Sequence, residues 1–198
     1  GDETFTDVQS DLSFVYPAHT YVRETNPNAA APYASWETAA TTLDTAVAYA
    51  NAQGIRKVKV VGTVPQTTVN VAIANVEAFG DGWDKAILSS NAGTLNKASP
   101  MYVIGDNAFV HGIKFVKKDG SYQRAIFQLN GSDSVVSNCW INGIGTKTCM
   151  DGYGHPAGCA TAGLITHCRF TGNSSSNGGG ESTPGVNLFR LSGTARMR

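Results

Sequence analysis

Lys117, Arg124, Asp151 and His155 are the side chains of this sequence best suited to proton chemistry on a charged substrate. They fall in polar, glycine-punctuated stretches. Residues 116–123 carry Lys117, Lys118, Asp119 and Tyr122, with Arg124 just after them. Residues 143–157 carry Lys147, Asp151, Tyr153 and His155, and residues 172–185 are rich in Asn, Ser and Gly, with Glu181. Cations that neutralise a sugar carboxylate and a base that takes a proton are what acid–base chemistry on an acidic sugar requires. The same stretches also read as ordinary solvated corner loops. A second set, Lys114, Trp140, Arg169 and Tyr153, suits ligand binding without catalysis. An exposed Trp beside Arg can stack on a sugar ring or make a cation–π contact. A surface ladder with no ligand fits those positions equally.

Other chemical signals are scattered. The acidic residues Asp81, Asp84, Asp106, Asp119, Asp133, Asp151 and Glu181 form no adjacent pair, whereas glycoside hydrolysis needs two carboxylates at a set separation. Asp106 and Asp133 fall in short turns, where Asp commonly binds backbone amides. His111 and His167 fall near one step of a repeat and read as turn residues rather than as a metal pair. No metal site is assigned.

The four cysteines are Cys139, Cys149, Cys159 and Cys168. Their spacing matches no tight zinc pattern. Cys139 and Cys168 read as stacked inward thiols. A disulfide between them is the lesser reading, because neighbouring parallel strands seldom present disulfide geometry. Cys149 and Cys159 flank a Gly-rich insertion and are the candidate disulfide, which would staple it.

Formal net charge is zero, with 15 basic and 15 acidic residues. That argues against a nucleic-acid partner, which calls for a basic excess. Charged residues are 15%, against a usual value of about 25%, and glycine is abundant. Such a polar, weakly charged, turn-rich composition suits an extracellular β-protein. No stretch approaches the roughly 18–20 apolar residues of a membrane span.

The elements that must carry these residues follow from periodicity. Residues 1–34 read as irregular, with Pro17, Pro27 and Pro32 as breakers and a short strand at Tyr21, Val22 and Arg23. Residues 35–54 read as a helix: Ser35 is the N-cap, Trp36, Ala39, Ala40, Leu43, Ala46, Val47 and Ala50 form the apolar stripe, and Gly54 is the stop. Residues 55–198 alternate as short strands separated by Gly, Asn, Asp and Ser, which gives an all-β class.

A repeat organises those strands. Tyr102-Val103-Ile104 matches Phe127-Gln128-Leu129 and Phe189-Arg190-Leu191. Val136-Ser137-Asn138-Cys139-Trp140-Ile141 matches Ile165-Thr166-His167-Cys168-Arg169-Phe170, and Val110-His111-Gly112-Ile113-Lys114-Phe115 fits the same frame. Anchors recur at 26 residues from Ile113 to Cys139 and at 29 from Cys139 to Cys168. A period in this range marks a solenoid or propeller. Missing hairpin signals favour a parallel solenoid in which extra residues loop out at corners. Trp140 then shares an outward row with Lys114 and Arg169.

With Pro32-Tyr33-Ala34-Ser35-Trp36-Glu37-Thr38-Ala39-Ala40, then Val58-Lys59-Val60-Val61-Gly62-Thr63, then the Asn138-Cys139-Trp140-Ile141 step, the chain resembles the right-handed parallel β-helix proteins of the pectate-lyase-like superfamily, in their secreted bacterial branch. The resemblance implies an N-terminal capping helix, a three-faced coil and a polysaccharide groove walled by long loops. The expected protein is an extracellular or cell-surface module, carbohydrate-binding or adhesive, whose partner is an extracellular polysaccharide or cell-surface glycan. Its coils are expected to be cut off at residue 198 and to pack against further coils of the same chain. No cofactor is expected. The alternative is a polysaccharide lyase, for which calcium would be needed, or a glycoside hydrolase with its groove only partly present.

Overall fold

The computed structural model describes residues 19–66, 68, 71–90, 102–117, 125–142, 148–152, 163–171, 189–191 and 196–197, with backbone alone at 90, 117, 125–128, 148–152 and from 189 onward. Among these residues one helix accompanies strands that all pair in parallel. The class is therefore all-β, as the alternating pattern indicates.

Three ladders account for the pairings. The first contains β1 (His19–Arg23), the first half of β2 (Lys57–Gln66), β4 (Glu77–Phe79), β7 (Phe109–His111), β10 (Val135–Ser137), β13 (Leu164–Thr166) and β16 (Arg196–Met197). The second contains the other half of β2, β5 (Ala86–Ser90), β8 (Lys114–Lys117), β11 (Trp140–Asn142) and β14 (Arg169–Thr171). The third contains β3 (Val71–Ile73), β6 (Tyr102–Ile104), β9 (Ala125–Leu129), β12 (Thr148–Gly152) and β15 (Phe189–Leu191). From β3 onward the chain visits third, first and second ladder in the same order on every round. Gly62 lies where β2 passes from one ladder to the next; its φ of +72° is a left-handed conformation that glycine adopts without steric cost.

Register follows from burial. A one-residue slip would turn every inward side chain to solvent. In the first ladder Val58, Ala78, Val110, Val136 and Ile165 stack inward. In the second, Val64, Leu88, Phe115 and Ile141 do so, with Phe170 continuing the row. Ile73, Ile104 and Leu129 line the third. Fully burying one such side chain contributes about 1.5–3 kcal/mol. The spacings inferred from sequence hold: Val110 pairs with Val136 and Val136 with Ile165.

The bend between first and second ladders recurs as a stacked left-handed residue: Gly112 (φ +67°), Asn138 (φ +48°) and His167 (φ +53°). Asn tolerates this region because its side chain bonds locally. His167 occupies the turn, whereas His111 lies in a strand two rounds earlier, so the two histidines are not a stacked pair.

The helix, α1 (Leu43–Ala52), is shorter than the apolar stripe suggests. Its N-cap is Thr42, whose hydroxyl accepts from the Thr45 amide, not Ser35. Ala39 and Ala40 are buried for another reason: Ala40 bridges Val22 and exchanges backbone hydrogen bonds with Tyr21 and Arg23. Trp36 is not in the stripe at all; it is 45% exposed, with the Arg23 guanidinium 4.5 Å from its ring centroid. Leu43, Ala46, Val47 and Ala50 form the buried face, packed against β1, β2 and β3. Gly54, at φ +68°, ends the helix as its position suggests.

Candidate functional site

The second ladder sets Lys114, Trp140 and Arg169 in one register row, as their repeat positions require. Inward neighbours Phe115, Ile141 and Phe170 force this row outward by strand alternation. The Lys114 ammonium lies 3.8 Å from the Trp140 ring centroid and the Arg169 guanidinium 4.6 Å from it. They come from opposite neighbouring strands, so the indole is held between two cations. Its Nε1–H donates to Thr171 Oγ1 at 2.6 Å, and the edge of Trp83 packs 5.9 Å away. Trp83 is itself fixed by a 2.8 Å hydrogen bond to the Asn138 carbonyl. Each cation–π contact is worth about 0.5–1 kcal/mol at an exposed site. Trp140 thus makes the cation–π contact its position suggests, with Lys114 as well as Arg169.

Three of the proposed catalytic and binding residues, Arg124, Tyr153 and His155, lie outside the described residues. Lys117 closes β8 rather than opening a loop. Asp151 is also placed differently from the sequence expectation. Residues 143–157 are not one corner loop, because Thr148–Gly152 forms β12. Glycines at 143, 145, 152 and 154 hide this strand in the sequence, while Met150 keeps register with Phe127 and Phe189. Asp151 therefore sits in the third ladder between Gln128 and Arg190.

A second polar cluster is not among the site residues singled out from the sequence. On the first ladder Glu77 Oε1 lies 2.9 Å from His111 Nε2, and Glu77 Oε2 lies 3.3 Å from Lys57 Nζ. Burial pushes the Glu77 carboxyl up, but hydrogen bonds from His111 and Lys57, with their charges, outweigh it and hold the pKa below its ordinary value. His111 is stacked on Phe79 and Phe109, and Phe109 is 40% exposed. The available signal was the match of Val76-Glu77-Ala78-Phe79-Gly80 to Ala108-Phe109-Val110-His111-Gly112.

Cys139 is fully buried, Cys168 is partly so, and both are free thiols one round apart. Burial pushes the Cys139 thiol well above its ordinary range. The alternative disulfide between them is not formed. Cys149 lies in β12 and Cys159 lies outside the described residues, so the proposed staple between them also falls outside. Asp106 has the turn role its position suggests, its carboxylate accepting from the Ser132 amide at 2.6 Å. Among the described residues no three His, Cys, Asp or Glu side chains converge as a metal cluster. No described helix is long and apolar enough to cross a membrane. Comparison with protein-family models, with curated proteins and with solved structures finds no match.

Proposed function

We propose that the three ladders wind as a right-handed parallel β-helix of the pectate-lyase-like kind, and that the chain is an extracellular module that binds polysaccharide or a cell-surface glycan. The winding is supported by the fixed order in which the chain visits the ladders, with each strand pairing to its equivalent one round later. Glycan binding is carried by one observation: the outward row in which Trp140 holds Lys114 and Arg169 in place. Long cationic side chains are usually mobile, and the indole reduces the entropy they lose on meeting a ligand. Because both indole faces are taken, the row engages a glycan through its two cations and not through ring stacking on Trp140. That favours glycans bearing carboxylate or sulfate groups.

A second reading, a polysaccharide lyase or glycoside hydrolase, draws on the register position of Asp151 between Gln128 and Arg190. One screen addresses both. The full chain is tested against acidic and neutral polysaccharides, with and without calcium, for binding and for new unsaturated or reducing sugar ends. Binding without turnover, weakened by Lys114→Ala and Arg169→Ala, is the expected result. Turnover abolished by Asp151→Asn would replace it with the enzyme reading. Neither binding nor turnover would refute both.

A further inference from the structure

Cys139 and Cys168 occupy the same turn position on successive rounds, between the register pairs Ser137–Thr166 and Trp140–Arg169. Their sulfurs make matching contacts. Cys139 Sγ lies 3.3 Å from the Ser137 carbonyl and 3.7 Å from that of Val110. Cys168 Sγ lies 3.3 Å from the Thr166 carbonyl and 3.6 Å from that of Val136. Equal contacts on equivalent backbone mean the same rotamer, so the sulfurs are offset by one strand spacing, about 4.8 Å.

That offset discriminates between two fates. A disulfide needs Cβ atoms about 3.5–4.5 Å apart and sulfurs near ~2.05 Å, so forming one would pull two hydrogen-bonded strands together. An ion bonded linearly to two thiolates at roughly 2.3 Å each spans about 4.6 Å and fits with the backbone where it stands. Ile113 occupies the preceding position of the stack and is fully buried, giving the pair an apolar floor. Among the described residues no third metal-ligating side chain joins the pair, which disfavours four-coordinate zinc. Thiolate pairs select soft ions such as Cu(I).

We propose that Cys139 and Cys168 form a two-thiolate site for a soft monovalent cation, Cu(I) or Ag(I). As each sulfur bonds the ion its proton leaves to solvent, so one cation replaces two protons and affinity rises with pH. The proposal is independent of the glycan reading.

The test uses the full chain carrying Cys149→Ser and Cys159→Ser, titrated anaerobically with Ag(I) against a competing chelator. One equivalent bound, with sulfur-to-metal charge-transfer absorption, is expected, and adding Cys168→Ser should weaken it at least tenfold. Should the double-serine background fail to fold, the unmodified chain is compared with Cys168→Ser, which should lose one equivalent. Stoichiometry and absorption unchanged by Cys168→Ser would overturn the site. So would a folded double-serine protein that binds no ion, or one that loses two hydrogens in air by joining the two sulfurs.

Discussion

Gly131 offers the sharpest test of how closely successive rounds pack. Its amide and that of Asn130 both donate to the Ile104 carbonyl of the preceding round, at 2.9 and 2.8 Å. A Cβ at this position would fall inside the van der Waals envelope of the Gly105 carbonyl and the Asp106 amide, which are backbone atoms and cannot swing aside. Gly131→Ala must therefore spread the ladder locally. Overpacking costs about 1–3 kcal/mol, and disrupting two backbone hydrogen bonds adds about 1 kcal/mol each. The sum, about 3–5 kcal/mol, is a large part of a typical domain's 5–15 or so. Gly62→Ala is the control. Nothing lies within 4 Å of the Cβ it would add, so only the left-handed φ is at stake, at roughly 1–2 kcal/mol. Urea unfolding followed by circular dichroism compares the two. If Gly131→Ala cost no more than Gly62→Ala, the packing argument would be refuted.

Three further outcomes are expected. Thr42→Ala should cost about 1 kcal/mol in the same unfolding assay by removing the helix N-cap, and an unchanged midpoint would contradict that role. Phe115→Ala should cost about 3–5 kcal/mol because the ring is fully buried between Leu88 and Ile141, while the exposed Phe109→Ala should fall well below that. Glu77 has a folded-state pKa below its ordinary 4.5, so its contribution is present above that pH and is lost as pH falls through the folded value. Unfolding measured across this acid range should show a steeper loss for the unmodified chain than for Glu77→Gln, and parallel profiles would contradict the hydrogen-bond assignment.

What the sequence disclosed depended on whether apolar anchors stood clear of their surroundings. Val110, Val136 and Ile165 do, and with them came the register that sets Trp140 between Lys114 and Arg169. The strand Glu77–Phe79 was obscured because its single inward residue is Ala78, too small to mark a strand by hydropathy. Glycines similarly masked Thr148–Gly152, and with it the ladder position of Asp151. The helix began late because Ala40, apolar at helical spacing, is used instead to bridge β1. Side-chain pairing between rounds, as in Glu77 with His111 and Lys57, depends on which outward residues become neighbours. No local pattern encodes that until the register is known.

Glycan binding at the Lys114–Trp140–Arg169 row, as proposed above, has a direct readout in the three tryptophans. Indole N–H resonances of the isotope-labelled full chain can be followed while acidic oligosaccharides, such as oligogalacturonate or oligoalginate, are added. The Trp140 signal should shift in a saturable way, with its neighbour Trp83 responding, and Trp36 beside Arg23 should stay still. A shift confined to Trp36, or no saturable shift at Trp140, would contradict it.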